Sequence, residues 1–222
     1  VADGTVVCGG GNRVSVPGVN AAVIGGQGVY VRLASSGAAP LPEEVWTAMR
    51  ERAAITVWEG YGLTECSPLV ACNPLNEHRR SGSIGIPFPS TDVRMVDPET
   101  GEDVPVDAEG ELLVKGPQVT QGYWKRPEET AKLFTEDGWL RTGDVGSITH
   151  DGYLTIHDRA RDVIRSGGEW IYSAQVENLI MESEEVIECA VIGIPDDKWG
   201  ERPLAVTKLT AEVAPTAETA AR

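Results

Sequence analysis

Tyr61-Gly62-Leu63-Thr64-Glu65 puts an aromatic ring, a small residue, a hydroxyl and a carboxylate within five positions. That set could stack a nucleobase, admit a phosphate close to the backbone, donate a hydrogen bond to it and hold Mg2+. The same residues would serve equally as a tight turn. Gly138-Trp139-Leu140-Arg141-Thr142-Gly143-Asp144 offers a carboxylate after a glycine, able to accept two hydroxyls of a ribose. Gly-Asp is also common turn chemistry. The third segment, 158–169, carries Asp158, Arg159, Arg161, Asp162, Arg165 and Glu169 around the pair Gly167-Gly168. Alone it reads as a solvated charge run.

The elements around these segments follow from periodicity. Val31-Arg32-Leu33-Ala34 predicts a short strand running into a turn at Ser35-Ser36-Gly37. Pro42, Glu43 and Glu44 open a helix, since proline and acids suit a first turn, and Val45, Trp46, Met49 and Ala53 give it an apolar stripe. Ile55-Thr56-Val57-Trp58 is a second strand, with 59–65 as the loop at its carboxyl end. Open α/β sheets hold ligands at such ends. Residues 80–157 read as mostly β, with strands at 92–96, 111–115 and 153–156 and one helix beginning at Pro127. The run 158–168 reads as a linker. Ser173 is the expected cap of a helix carrying Val176, Leu179 and Ile180, and strands follow at 190–194 and 203–209. The Ala/Thr/Glu-rich tail 210–222 is expected to fray.

Composition excludes several classes. Lys and Arg number 19 against 34 Asp and Glu, a net charge of −15, which opposes binding to nucleic acid. Hydrophobic residues make up 41% of the chain, enough for a core. Cys8, Cys66, Cys72 and Cys189 form no CxxC pair and do not cluster with the histidines, which argues against zinc. Scattered thiols fit a reducing cytoplasm. No apolar stretch nears the ~20 residues of a membrane helix. Residues 1–30, with Gly9-Gly10-Gly11 and Gly25-Gly26-Gln27-Gly28, are expected to be a flexible or poorly packed, atypical Gly-rich leader.

In this order the three segments resemble the AMP-binding, adenylate-forming enzymes: acyl-CoA synthetases, luciferases and peptide-synthetase adenylation domains. The resemblance runs from about residue 33 to residue 209 and includes Gly110-Glu111-Leu112-Leu113-Val114-Lys115-Gly116-Pro117-Gln118 with Gly122-Tyr123-Trp124. Segments 61–68 and 81–89 look most like bacterial long-chain fatty acyl-CoA synthetases. So do Ser166-Gly167-Gly168-Glu169-Trp170-Ile171 and Trp199-Gly200-Glu201-Arg202-Pro203. The resemblance implies a mixed α/β fold: the C-terminal part of a large AMP-binding domain with its β-rich subdomain (31–157), a hinge (158–165) and the start of a small α+β lid domain (166–222). It also implies a fatty acid, ATP and coenzyme A as small-molecule substrates, with Mg2+. The acid attacks the α-phosphate of ATP to give acyl-AMP, and CoA then displaces AMP.

Residue by residue, the resemblance puts Gly37, Ala38 and Ala39 on one face of the adenine and Tyr61 on the other, with Gly60 and Gly62 beside it. Thr64 falls at the α-phosphate and Glu65 at Mg2+, the two carried over as catalytic. Asp144 falls at the ribose hydroxyls, with Arg159 assisting and Ile156 lining the nucleotide site. Arg161 matches the hinge position, and Gly167 and Gly168 the pantetheine tunnel. The family's phosphate loop and its Pro-Lys…Gly-Lys run are not matched. The expectation is therefore a fragment, inactive alone, of a cytoplasmic enzyme. It leaves room for peripheral membrane contact and for a homo-oligomer. A fatty acyl-AMP ligase and a non-catalytic nucleotide-binding module are the alternatives.

Overall fold

The computed structural model describes residues 3–7, 13–17, 33–37 and 43–211. Asp3–Val7 (β1) and Arg13–Pro17 (β2) pair antiparallel, Asp3 opposite Pro17 and Val7 opposite Arg13. The 1–30 stretch, expected as an atypical Gly-rich leader, thus holds one antiparallel strand pair among its described residues. Thr5-Val6-Val7 and Val14-Ser15-Val16 carry the β-branched residues that favour it. The glycine runs themselves, and the tail beyond residue 211, lie outside the described residues.

The chain divides into two units, Val1–Thr142 with Gly146–Ile156, and Gly143–Val145 with His157–Arg222. In the first, Leu33–Ser36 (β3) leads through helix Glu43–Ala53 (α1) to Thr56–Gly62 (β4), parallel to β3. Arg50 and Arg52 fall in the last turn of α1, complementing its dipole. Met49 is buried with Ile55 and Val57, flanked by Val45, Trp46 and Ala53, as the stripe predicts. Leu69–Cys72 (β5) and Ile86–Pro87 (β6) extend this sheet antiparallel.

Asp92–Val96 (β7), Gly110–Lys115 (β8), then helix Pro127–Leu133 (α2), Leu140–Ile148 (β9) and Leu154–Arg159 (β10) follow; the strands form a sheet of order β10-β9-β8-β7. One buried cluster joins Cys66, Val70 and Ala71 to Met95, Leu112, Val114, Leu140 and Leu154. β7 supplies Met95 to it, and β8 supplies Leu112 and Val114.

The second unit holds Val163–Ser166 (β11), Glu169–Tyr172 (β12), helix Ser173–Met181 (α3), Val186–Asp196 (β13) and Gly200–Leu209 (β14), in sheet order β12-β11-β14-β13. Its small core joins Val145, Val163 and Tyr172. Glu177 of α3 accepts a hydrogen bond from the Val191 N–H of β13 at 2.8 Å. Segment 158–168, expected as a linker, ends β10, turns at 160–162 and forms β11. Mixed α/β composition, sheet-rich with three described helices, agrees with the expected fold class. No helix among the described residues is long and apolar enough to cross a membrane.

Candidate functional site

In the first unit β4 does not turn at Glu59 but continues to Gly62. Gly60, Tyr61 and Gly62 pair with Cys72, Ala71 and Leu69 of β5, a partner that short-range pattern does not announce. Gly37, just past β3, lies against this strand: a Cβ there would sit 3.2 Å from the Gly60 carbonyl oxygen. The two parallel strands thus bring Gly37 and Gly60 together at their carboxyl ends. Ala38 and Ala39 fall outside the described residues. Tyr61 is half-buried and packs on the central cluster, as does Ile156.

Gly62 answers to its own chain. A Cβ there would overlap the Pro68 carbonyl, which accepts the Leu63 N–H at 2.8 Å. A 3-10 turn, Thr64–Cys66, then presents Thr64 to solvent and leaves Glu65 half-buried. Cys66 roots this turn in the core, and its burial pushes the thiol pKa up to about 11. The Glu65 backbone carbonyl accepts the Thr120 N–H at 2.7 Å, and its carboxylate accepts the Tyr123 hydroxyl. That bond raises the Tyr123 phenol above its ordinary value. Tyr123 had no role in the sequence-based site; its place in the Gly122-Tyr123-Trp124 run was the available signal.

No group of three or more His, Cys, Asp or Glu suited to a metal occurs among the described residues. One partly exposed carboxylate is nonetheless what Mg2+ chemistry requires, because Mg2+ usually takes one or two carboxylates and completes its shell with phosphates and water. Glu65 fits that donor set.

In the second unit Asp144 lies within β9, not in a turn, because Gly143 and Val145 continue the strand. It is 4% exposed. Arg159 Nε lies 2.9 Å from its Oδ1, and Ala160 N–H donates to the Gly143 carbonyl at 2.8 Å. Asp158 points its carboxylate elsewhere. Its Oδ2 accepts the Ser173 hydroxyl at 2.8 Å and the Ala174 N–H at 3.2 Å, so Asp158 caps α3 and Ser173 does not. Arg161 sits in the turn after β10, largely exposed, with Nε 3.4 Å from Asp162 Oδ2.

Gly167-Gly168 forms the two-residue turn between β11 and β12, with φ of 62° and 88°. Positive φ at both central residues is the geometry that suits hairpin twist, and glycine reaches it without steric cost. A Cβ on Gly167 would stand 2.6 Å from the Trp199 ring, and the Gly167 N–H donates to the Trp199 carbonyl at 2.8 Å. Glu201 accepts the Arg165 N–H at 2.8 Å. The segments 166–171 and 199–203, separate in sequence, are thus held together.

The sequence model of the AMP-binding enzyme family matches residues 21–124, and that of the AMP-binding enzyme C-terminal domain matches residues 175–221. The chain belongs to the AMP-binding enzyme family. Within that family, a long-chain-fatty-acid–CoA ligase of Yersinia pestis is 44% identical over 171 residues, covering 77% of this chain and 30% of the ligase. A feruloyl-CoA synthase of Amycolatopsis sp is 44% identical over 166 residues, covering 74% of this chain and 33% of the synthase. The ATP-bound structure of MatB from Rhodopseudomonas palustris superposes with a TM-score of 0.71 at 37% identity, covering 83% of this chain and 36% of that one. The chain spans about a third of the length of these relatives.

Proposed function

We propose that this AMP-binding chain supplies the adenosine-gripping residues, and part of the mobile lid, of an AMP-forming acid–CoA ligase whose acid is a fatty acid. The observation that carries the reading is Asp144, a carboxylate 4% exposed and paired with Arg159. Burying a carboxylate is costly, and a turn would not require it. Two vicinal ribose hydroxyls would use its acceptors.

In this reading Tyr61 stacks on the adenine opposite Gly37, Ala38 and Ala39, with Gly60, Gly62 and Ile156 shaping the slot. Thr64 donates to the α-phosphate. Glu65 would hold Mg2+, which offsets charge on the phosphates. A carboxylate oxygen of the acid bonds to the α-phosphorus, the bond to the β-phosphate oxygen breaks, and pyrophosphate leaves. The CoA sulfur then bonds to the acyl carbon, the bond to AMP breaks, and the thiol proton is released. Fixed donors and a common orientation are what such displacements need. Arg161 is the pivot between the two half-reactions, and Gly167 and Gly168 border the pantetheine path.

Support comes from the long-chain-fatty-acid–CoA ligase of Yersinia pestis at 44% identity. The feruloyl-CoA synthase at the same 44% favours a second reading, with an aromatic acid as substrate. ATP–pyrophosphate exchange by the protein that bears this chain separates the two. Exchange driven by a fatty acid and Mg2+ is expected. Exchange driven by ferulate alone favours the second reading, and exchange driven only by amino acids contradicts both.

A further inference from the structure

We infer that Tyr123 is a positioning residue for Glu65, holding its carboxylate in one orientation before a cation and nucleotide arrive. This rests on Glu65 being the metal-facing carboxylate, as proposed above. Three observations carry it. The Tyr123 hydroxyl donates to Glu65 Oε1, while no other described residue donates to that carboxylate. The same loop grips the Glu65 backbone, through the Thr120 N–H to its carbonyl at 2.7 Å. Tyr123 is itself anchored. Its N–H donates to Thr130 Oγ1 of α2 at 2.9 Å, and that hydroxyl donates to the Arg126 carbonyl at 2.8 Å.

A glutamate side chain loses considerable rotamer freedom when fixed. Tyr123 removes part of that loss from the binding step. Groups that orient a metal-binding side chain from outside its coordination shell commonly alter metal affinity by about 10- to 100-fold when removed. Tyr123 is 41% exposed, so deleting its hydroxyl leaves no cavity in the core.

The test is calorimetric titration of ATP at stepped Mg2+ concentrations, beside AMP titrated without metal and the melting temperature. Wild type, Tyr123→Phe and Glu65→Gln are compared. Tyr123→Phe is expected to raise the Mg2+ midpoint for ATP binding about tenfold. Metal-free AMP affinity and melting temperature should stay at the wild-type values. An unchanged Mg2+ midpoint in Tyr123→Phe, with a raised one in Glu65→Gln, overturns the role of Tyr123 and leaves Glu65 in place. A fall in AMP affinity equal to that for ATP also overturns it, since a loop brace and not an oriented carboxylate would then be lost. An unchanged midpoint in Glu65→Gln removes the metal reading itself. Absence of any MgATP binding by wild type removes the nucleotide reading and this inference together.

Discussion

Arg159 Nε lies 2.9 Å from Asp144 Oδ1, joining the end of β10 to the middle of β9 through side chains as well as backbone. The preceding residue, Asp158, points its carboxylate to the start of α3, with the Ser173 hydroxyl 2.8 Å away. Two consecutive residues therefore tie one strand end to a buried carboxylate and to a helix.

The Asp158 tie is the first to test. Its carboxylate accepts the Ala174 N–H, one of the donors a helix start leaves unsatisfied. Asp158→Ala should cost about 1 kcal/mol, as loss of a cap does. For a chain of this length that is a melting temperature lower by about 2–4 °C. Asp158→Asn, which keeps an acceptor, should recover most of it. An alanine variant as stable as wild type would show that α3 does not depend on this cap.

The paired glycines give a contrast. Gly168 has open space where a Cβ would go, whereas Gly167 faces the Trp199 ring. Gly168→Ala should cost about 1 kcal/mol, from positive φ alone. Gly167→Ala should cost about 1–3 kcal/mol more, because the methyl overpacks. Denaturant unfolding would measure both. Adding Trp199→Ala to Gly167→Ala should recover part of the difference, and equal losses at the two glycines would contradict the packing described.

Much of this was legible in the chain. The stripe Val45, Trp46, Met49 and Ala53 announces α1, alternation of Val93 and Met95 with Asp92 and Arg94 announces β7, and the apolar run Leu112-Leu113-Val114 announces β8. What escaped depends on distant partners. Nothing near Gly60 reveals that β5 will pair with it and prolong β4. Gly143 looks like a turn residue, yet β9 runs through it. The charges of 158–168 suggest a solvated linker, but Val163 and Ile164 are buried in β11. In the candidate site, Thr64, Glu65, Asp144 and Arg159 could be named from motif order. Tyr123 could not be assigned a role, because it meets Glu65 only after 58 intervening steps of chain are folded.

Cys66 gives a pH dependence with a defined sign. Burial raises its thiol from the ordinary 9.0 to about 11 in the folded chain. The unfolded chain therefore loses this proton first as pH rises. The associated stability is fully present below about pH 9 and is lost as pH climbs through 11. Urea unfolding at stepped pH should show a steeper alkaline decline in wild type than in Cys66→Ala. Parallel declines would remove Cys66 as the cause.

The central claim is that Asp144 receives the ribose, and AMP binding to Asp144 variants measures it most directly. Hydrogen bonds to a charged group contribute about 1.5–3 kcal/mol. Asp144→Ala should therefore weaken AMP roughly 10- to 150-fold in calorimetric titration. Asp144→Asn separates binding from folding: it should restore the melting temperature while AMP affinity stays low. Asp144→Ala binding AMP as tightly as wild type, or Asp144→Asn regaining full affinity with its stability, would contradict the account.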